Sequence, residues 1–367
     1  MSVNLAVTGY YGTGSSAAID YLSDIDGVAL CPDVDEYEHN IFYQQGGLYE
    51  LGAILMHANS PYNSDAAISQ FVDAVKREND NNFGAFGSYK FLFGDEFADI
   101  SSDFLKAISR SSSWRSQPKC VRFSLVKAIL QIGAYIVWRR PIAKLGRKYV
   151  YDRNKFYFAM PSSEEFRDAA RKYTSAYFDM CARHRNPKVR LFDHVIWPQQ
   201  YKLIDDYFDE SFRLIVVKRD PRDVYLLNKY FWHVPPLNFV PPYYPTDVKL
   251  FVETWKSVIV PPSDSINQSQ VLFIDFEDLV YRYDHMQSKM AEFLGIDTLA
   301  RKEGAPVLFD PKQSIENTQI FNANPEWLSE VSLIERELPE YLYDFPYKYI
   351  PDKSKWFDSR GVTPIKK

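Results

Sequence analysis

Two textures alternate along this chain: short apolar runs, and longer stretches where apolar residues return every three or four positions. The runs fall at Asn4–Thr8, Val28–Leu30, Val189–Phe192, Arg213–Val217 and Val271–Ile274. Largely unbroken apolar runs of this length suit strands covered on both faces of a parallel sheet. Helical spacing predicts helices over Ser15–Leu22, Leu48–His57, Asp65–Arg77, Phe97–Ser113, Val121–Trp138, Asp247–Val260 and Tyr283–Leu294. Ser162 and Ser163 followed by Glu164-Glu165 read as a helix start, and that helix is expected to run to about His184, where Asn186-Pro187 stops it. Pro221, just after the Arg213–Val217 run, sits where the next helix would begin. Strands alternating with helices predict an α/β fold, a mostly parallel sheet with helices on both faces. The expected layout is one domain over 1–350, with a helical insert at about 97–160 and a C-terminal tail at 351–367.

Composition adds limits. With 46% hydrophobic and 25% charged residues among 367, the chain is neither disordered nor fibrous. Cys31, Cys120 and Cys181 are far apart and form no metal-ligand spacing, which suits a reducing compartment. The opening MSVNLAVTGYYGTGSS lacks the pattern of a signal peptide, and no apolar stretch reaches the roughly 20 residues that span a bilayer. The expected location is therefore cytoplasmic. Net charge is −5, yet Lys106–Lys155 holds thirteen Lys/Arg against the single acid Asp152. Within that window, an apolar helical pattern ending at Trp138 is bordered by Lys119, Arg122, Arg139, Arg140, Lys144, Arg147 and Lys148. Such a segment suits an anionic membrane surface, so peripheral contact through 119–148 at the inner face of the membrane is one expectation. A core helix with solvated basic neighbours, or a groove for a soluble anionic polysaccharide, is the other. Nucleic acid is not an expected partner.

Candidate chemistry gathers where strands end. Gly9-Tyr-Tyr-Gly-Thr-Gly-Ser-Ser16 follows the first run and opens a helix, so Gly12, Thr13, Gly14, Ser15 and Ser16 offer backbone N–H groups and hydroxyls to an anion. The spacing imitates GxxxxGK[ST], but Ser15 stands where the lysine of an ATP-hydrolysing loop would be. The plain alternative is a tight strand–helix turn that binds nothing. Lys218-Arg-Asp-Pro-Arg-Asp223 follows the most apolar run, and Arg219 presents a fork suited to phosphate. Its plain alternative is a surface cluster of ion pairs among Arg219, Asp220, Arg222 and Asp223.

Together these segments resemble the sulfotransferases that use 3′-phosphoadenosine 5′-phosphosulfate (PAPS), of the bacterial and carbohydrate type. VVKRDPRDVYLLNKYFW resembles the family's 3′-phosphate loop, and Val271-Leu-Phe-Ile-Asp-Phe-Glu-Asp-Leu279 with Met290-Ala-Glu-Phe-Leu-Gly-Ile296 resembles its EDL segment and FLG helix end. Phe309-Asp-Pro-Lys-Gln-Ser-Ile-Glu-Asn317 resembles its C-terminal loop. The matches run in family order from residue 3 to about 320. The resemblance implies a three-layer α/β/α fold of P-loop-NTPase-like type and PAPS as co-substrate without a metal. It also implies sulfuryl transfer to a hydroxyl of a carbohydrate or glycolipid. Gly12–Ser16 would hold the 5′-phosphosulfate and Arg219 the 3′-phosphate, with Ser314 and Asn317 from the C-terminal loop. Two positions depart from the pattern: Gly12 replaces a basic residue, and Leu227 replaces a serine whose place Asn228 would take.

For the general base, the resemblance points to Glu36, with Glu38 and His39 beside it. His194, in Asp-His after the Val189–Phe192 run, is the second candidate, against the reading of a hydrogen-bonded core histidine. His233 is a further one. The proline-rich aromatic stretch 231–245, with Phe231, Trp232, Phe239, Tyr243 and Tyr244, is expected either to wall the acceptor pocket or to pack as a surface loop. Two rival functions remain at this point: a nucleotide-dependent kinase with a degenerate P-loop, and an inactive homologue that binds glycan or membrane.

Overall fold

The structure is a computed structural model. It describes residues 2–34, 37, 39–80, 89–109, 111–114, 155–183, 185, 187–231, 244–260, 267–296, 300–304 and 306–356. The basic segment 119–148, together with Glu36, Glu38, Trp232, His233, Phe239 and Tyr243, therefore lies outside the described residues. The chain divides into two compact units, Met1–Tyr43 with Gly84–Phe86 and Thr174–Lys367, and Gln44–Phe83 with Gly87–Tyr173.

The first unit is built on an all-parallel sheet. Its strands are β1 (Val3–Gly9), β2 (Val28–Leu30), β5 (Val189–Asp193), β6 (Phe212–Lys218) and β7 (Val271–Asp275), in the order β2-β5-β1-β6-β7. Strand alternation sorts their side chains into two different faces. Leu5 and Val7 of β1, Leu191 of β5, Ile215 and Val217 of β6 and Ile274 of β7 join one aliphatic core. The helices Ser15–Ser23 and Tyr283–Leu294 add Ala18, Leu22, Met286 and Met290 to it. The opposite face is aromatic. Phe212 stacks on Phe208 with centroids 3.9 Å apart, and Phe178 lies 4.4 Å from Phe192. Helices over both faces of a parallel sheet make the α/β class plain, in a three-layer arrangement.

The second unit packs the helices Leu48–His57, Pro61–Asp80, Tyr89–Phe93 and Glu96–Ile108 with the first part of Ser163–Cys181. Its core is also aromatic, with Phe71, Phe97, Phe104, Phe166 and Tyr173 buried. Ser162 and Glu165 form the expected capping box: the Ser162 N–H donates to Glu165 Oε2 at 2.7 Å, and the Glu165 N–H to Ser162 Oγ at 3.2 Å. The helix expected to reach Ser113 ends at Ile108. Residues Ser111–Trp114 form strand β3, antiparallel to β4 (Lys155–Phe158). Serine side chains compete with the helix for backbone partners, and the run Ser111-Ser-Ser113 is better served by a ladder. The described part of the insert expected at 97–160 belongs to this unit. Among the described residues, no helix is long and apolar enough to cross a membrane.

Candidate functional site

Strand order fixes where a crevice opens. The chain leaving β1 crosses toward β2, whereas the chain leaving β6 continues toward β7, so the carboxyl ends of β1 and β6 diverge at a topological switch point. The glycine turn follows β1, and the Lys-Arg turn follows β6. Both therefore arrive at one place.

The glycine turn is shaped by close contacts. Gly14 adopts φ +88, and a Cβ there would stand 2.8 Å from the Phe276 ring. At Gly9, a Cβ would strike Thr13 Oγ1 at 2.5 Å. The Thr13 hydroxyl is turned inward and lies between the Tyr10 carbonyl at 2.7 Å and the Val217 carbonyl at 2.8 Å, which ties the turn to β6. Thr13 thus holds the cradle, and its own N–H already donates to the Tyr10 carbonyl. Gly14 is the N-cap of the helix Ser15–Ser23 and receives no side-chain cap. Among the described residues, the N–H groups of Gly14, Ser15 and Ser16 have no backbone acceptor. Three unpaired donors at a helix N-terminus are an arrangement suited to an anion.

The cationic turn behaves differently. Arg219 is only 5% exposed. Its Nη1 donates to the Gly12 carbonyl at 3.1 Å, its Nη2 to the Asn317 carbonyl, and its guanidinium lies 4.8 Å from the Phe276 ring centre. Burial lowers its pKa, and Asp223, Glu277 and Asp220 oppose that shift. Arg219 therefore joins the glycine turn to the C-terminal loop, with Nε buried and without a partner among the described residues. Arg222 forms a bidentate pair with Asp220, Nε to Oδ1 at 2.9 Å and Nη2 to Oδ2 at 2.7 Å, and reaches Glu335 at 2.8 Å. Asp220 also caps the helix Pro221–Tyr230, which begins at Pro221 as expected. Burial pushes the carboxyl groups of Asp223 and Glu277 upward.

The remaining expected residues separate. Asn228 is fully buried, and its amide holds the Tyr244 backbone at both ends, donating to the carbonyl at 2.9 Å and accepting from the N–H at 3.3 Å. Its side chain is a brace for the segment before Val248. Asn317 contributes its carbonyl to Arg219, and Ser314 ends the short helix Pro311–Ser314. His39 is a core histidine: it is buried, Nδ1 lies 2.9 Å from the Tyr177 hydroxyl, and burial lowers its pKa to about 3. His194 is placed otherwise. It follows β5 with φ 47, its N–H donates to the Val7 carbonyl at 3.0 Å, and Nδ1 is hydrogen-bonded to Asp193 Oδ1. In the neutral ring, a carboxylate partner keeps the proton on Nδ1 and leaves Nε2 as the acceptor. Of the aromatic stretch 231–245, Phe231 packs edge-on against Trp356 at 4.7 Å, and Tyr244 is buried beside Phe251 and Trp255.

A cavity of about 620 Å³ opens at this rim, lined by Thr13, Lys218, Arg219, Trp255, Asp275 and Tyr341 among others. Lys218 Nζ lies 3.2 Å from Asp275 Oδ1. The Trp255 indole N–H is buried without a partner among the described residues. Sequence reading missed Trp255, Tyr341 and Arg282 here. Only Asp275, the polar end of an apolar run, carried a local signal. A scan against protein-family models and a search of curated proteins both find no match to this chain.

Proposed function

We propose that this chain is a PAPS-dependent sulfotransferase of P-loop-like fold, transferring a sulfuryl group to a hydroxyl of a carbohydrate or glycolipid and releasing PAP. One observation carries the reading: the N–H groups of Gly14, Ser15 and Ser16, unpaired among the described residues, belong to the turn whose Gly12 carbonyl accepts from Arg219, at the carboxyl ends of two neighbouring strands. The fit is good at the 5′ end, where amide donors and a helix N-terminus suit an anionic leaving group. At the 3′ end, Arg219 would exchange its carbonyl partners for phosphate oxygens. PAPS, when bound, supplies the activated sulfuryl group. The chain's own residues bind and neutralise: the amides of residues 14–16 and Arg219 grip anions, and Lys218 adds a cation on the cavity wall. His194 Nε2, oriented by Asp193, accepts the proton of the acceptor hydroxyl.

The kinase reading needs a free carboxylate for a magnesium nucleotide. Asp275 stands at a strand end, but Lys218 pairs with it, as Arg282 does with Asp278 on the same wall, which counts against a magnesium site at those two carboxylates. Thermal unfolding with PAP, ATP with magnesium, or neither tests the choice. PAP at 100 times its Kd should stabilise by about 2.7 kcal/mol. Stabilisation by ATP with magnesium but not by PAP would transfer the assignment to the kinase class. PAP binding without turnover of PAPS on any acceptor would support the inactive homologue.

A further inference from the structure

The turn that leaves β5 reads Asp193-His-Val-Ile-Trp-Pro198. Val195 and Ile196 are fully buried and, with buried Pro198, anchor it, while Asp193 and His194 are partly exposed and Trp197 is exposed. His194 holds a left-handed backbone angle, φ 47, which an L-residue without a stabilising context avoids. Trp197 keeps 38% of its surface exposed, a large area for an indole. Its ring centre lies 5.5 Å from the His194 ring at 57° and 5.4 Å from the Tyr43 ring at 69°. The indole is thus fixed between two rings while remaining open to solvent. The His194 and Asp193 side chains beside it are 26% and 29% exposed.

We propose that Trp197, steadied by Tyr43, is the acceptor platform of this protein, and that it takes a neutral pyranose ring. This rests on the sulfotransferase reading. A pyranose has one C–H face and a rim of hydroxyls. The face packs on an indole, and the rim reaches groups that accept and donate hydrogen bonds. The turn supplies that combination: a flat apolar ring beside an Asp–His pair. A phenol or sterol acceptor would call for an enclosed apolar slot, whereas this surface is open and polar at its edge. An acidic sugar would meet the Asp193 carboxylate, so the platform favours a neutral hexose or hexosamine over a uronate. Trp197 is then a positioning residue: it sets which hydroxyl lies against His194 and takes no part in proton transfer.

The test is a nucleotide-free titration of the full chain with lacto-N-tetraose, tetragalacturonate or 2-naphthol. The readout is the indole N–H resonance of Trp197, assigned by its loss in Trp197→Phe. Lacto-N-tetraose should shift that resonance saturably, and the other two ligands should not. Trp197→Ala should weaken lacto-N-tetraose at least about tenfold by calorimetry, and Trp197→Phe should restore part of the loss. In turnover, Trp197→Ala should raise the acceptor KM with kcat little changed. A shift only with tetragalacturonate or 2-naphthol, or with none of the three, overturns the proposal. The titration contains no PAP, so this failure leaves the nucleotide reading standing. A failure of PAP to bind leaves the titration readable in turn.

Discussion

Two turns leave neighbouring strands of one sheet, and their side chains suggest the opposite of what their geometry provides. The turn after β6 carries two arginines, a lysine and two aspartates. Its cations are nonetheless engaged internally: Arg222 with Asp220 and Glu335, Lys218 with Asp275, and Arg219 with two carbonyls. The turn after β1 has no charged side chain at all, yet it leaves three N–H groups at a helix N-terminus unpaired. Charge written in a sequence is therefore distinct from charge open to a ligand. A backbone cradle made by glycines can be the more open anion site, and the cationic turn works chiefly as the scaffold that holds it.

The largest expected effect separates scaffold from site. Arg222→Ala leaves Asp220 buried without its cation and should cost about 3–5 kcal/mol in urea unfolding. PAP affinity of the folded fraction should stay within about twofold, so a large loss of affinity would break the comparison. Gly14→Ala comes next, since a left-handed alanine with its Cβ against Phe276 should cost about 2–4 kcal/mol. PAP binding should fall with it. Arg219→Ala should weaken PAP by about 1.5–3 kcal/mol, roughly 10- to 150-fold in Kd by calorimetry. An unchanged Kd would assign Arg219 to the scaffold as well.

A smaller effect concerns His39, another ionisable group whose charge is not available. It titrates near 3 in the folded chain against an ordinary 6.5, because burial disfavours the charged ring. Between those values the unfolded chain binds a proton that the folded chain does not, so stability falls as pH drops below about 6.5. At pH 5 the loss is about 2 kcal/mol. The difference in unfolding free energy between the wild type and His39→Gln, measured from pH 7 to 5, should show that slope in the wild type alone. The smallest change is Lys218→Ala. Its pair with Asp275 is about one-third exposed, so stability should move by less than about 1 kcal/mol.

Much of the fold was legible, for a physical reason. Strands covered on both faces must be apolar along their whole length, so β1, β5, β6 and β7 stand out and no limit differs from expectation by more than one residue. The capping box at Ser162 and the proline start at Pro221 are local chemistry, and they were readable in the same way. The helix end at Ile108 was not, because Phe97–Ser113 keeps apolar spacing while the pairing of Ser111–Trp114 with Lys155–Phe158 comes from 41 residues away at its nearest register pair. The site divides likewise. Glycines that must turn announce themselves, and so does an Asp-His at a strand end. Nothing local marks Trp255 or Tyr341 as cavity walls, or states that Arg219 will meet carbonyls at positions 12 and 317. Asn228 shows the converse, a plausible phosphate ligand by position whose amide is taken by Tyr244.

The central claim is that uncharged backbone at residues 14–16 grips the anionic end of the nucleotide. Backbone amide resonances of Gly14, Ser15 and Ser16, followed while PAP is added, test it most directly. The account predicts that all three shift together and saturate at the calorimetric Kd, with Arg219 side-chain N–H signals moving in the same titration. Saturable PAP binding that leaves these three amides unmoved would contradict it.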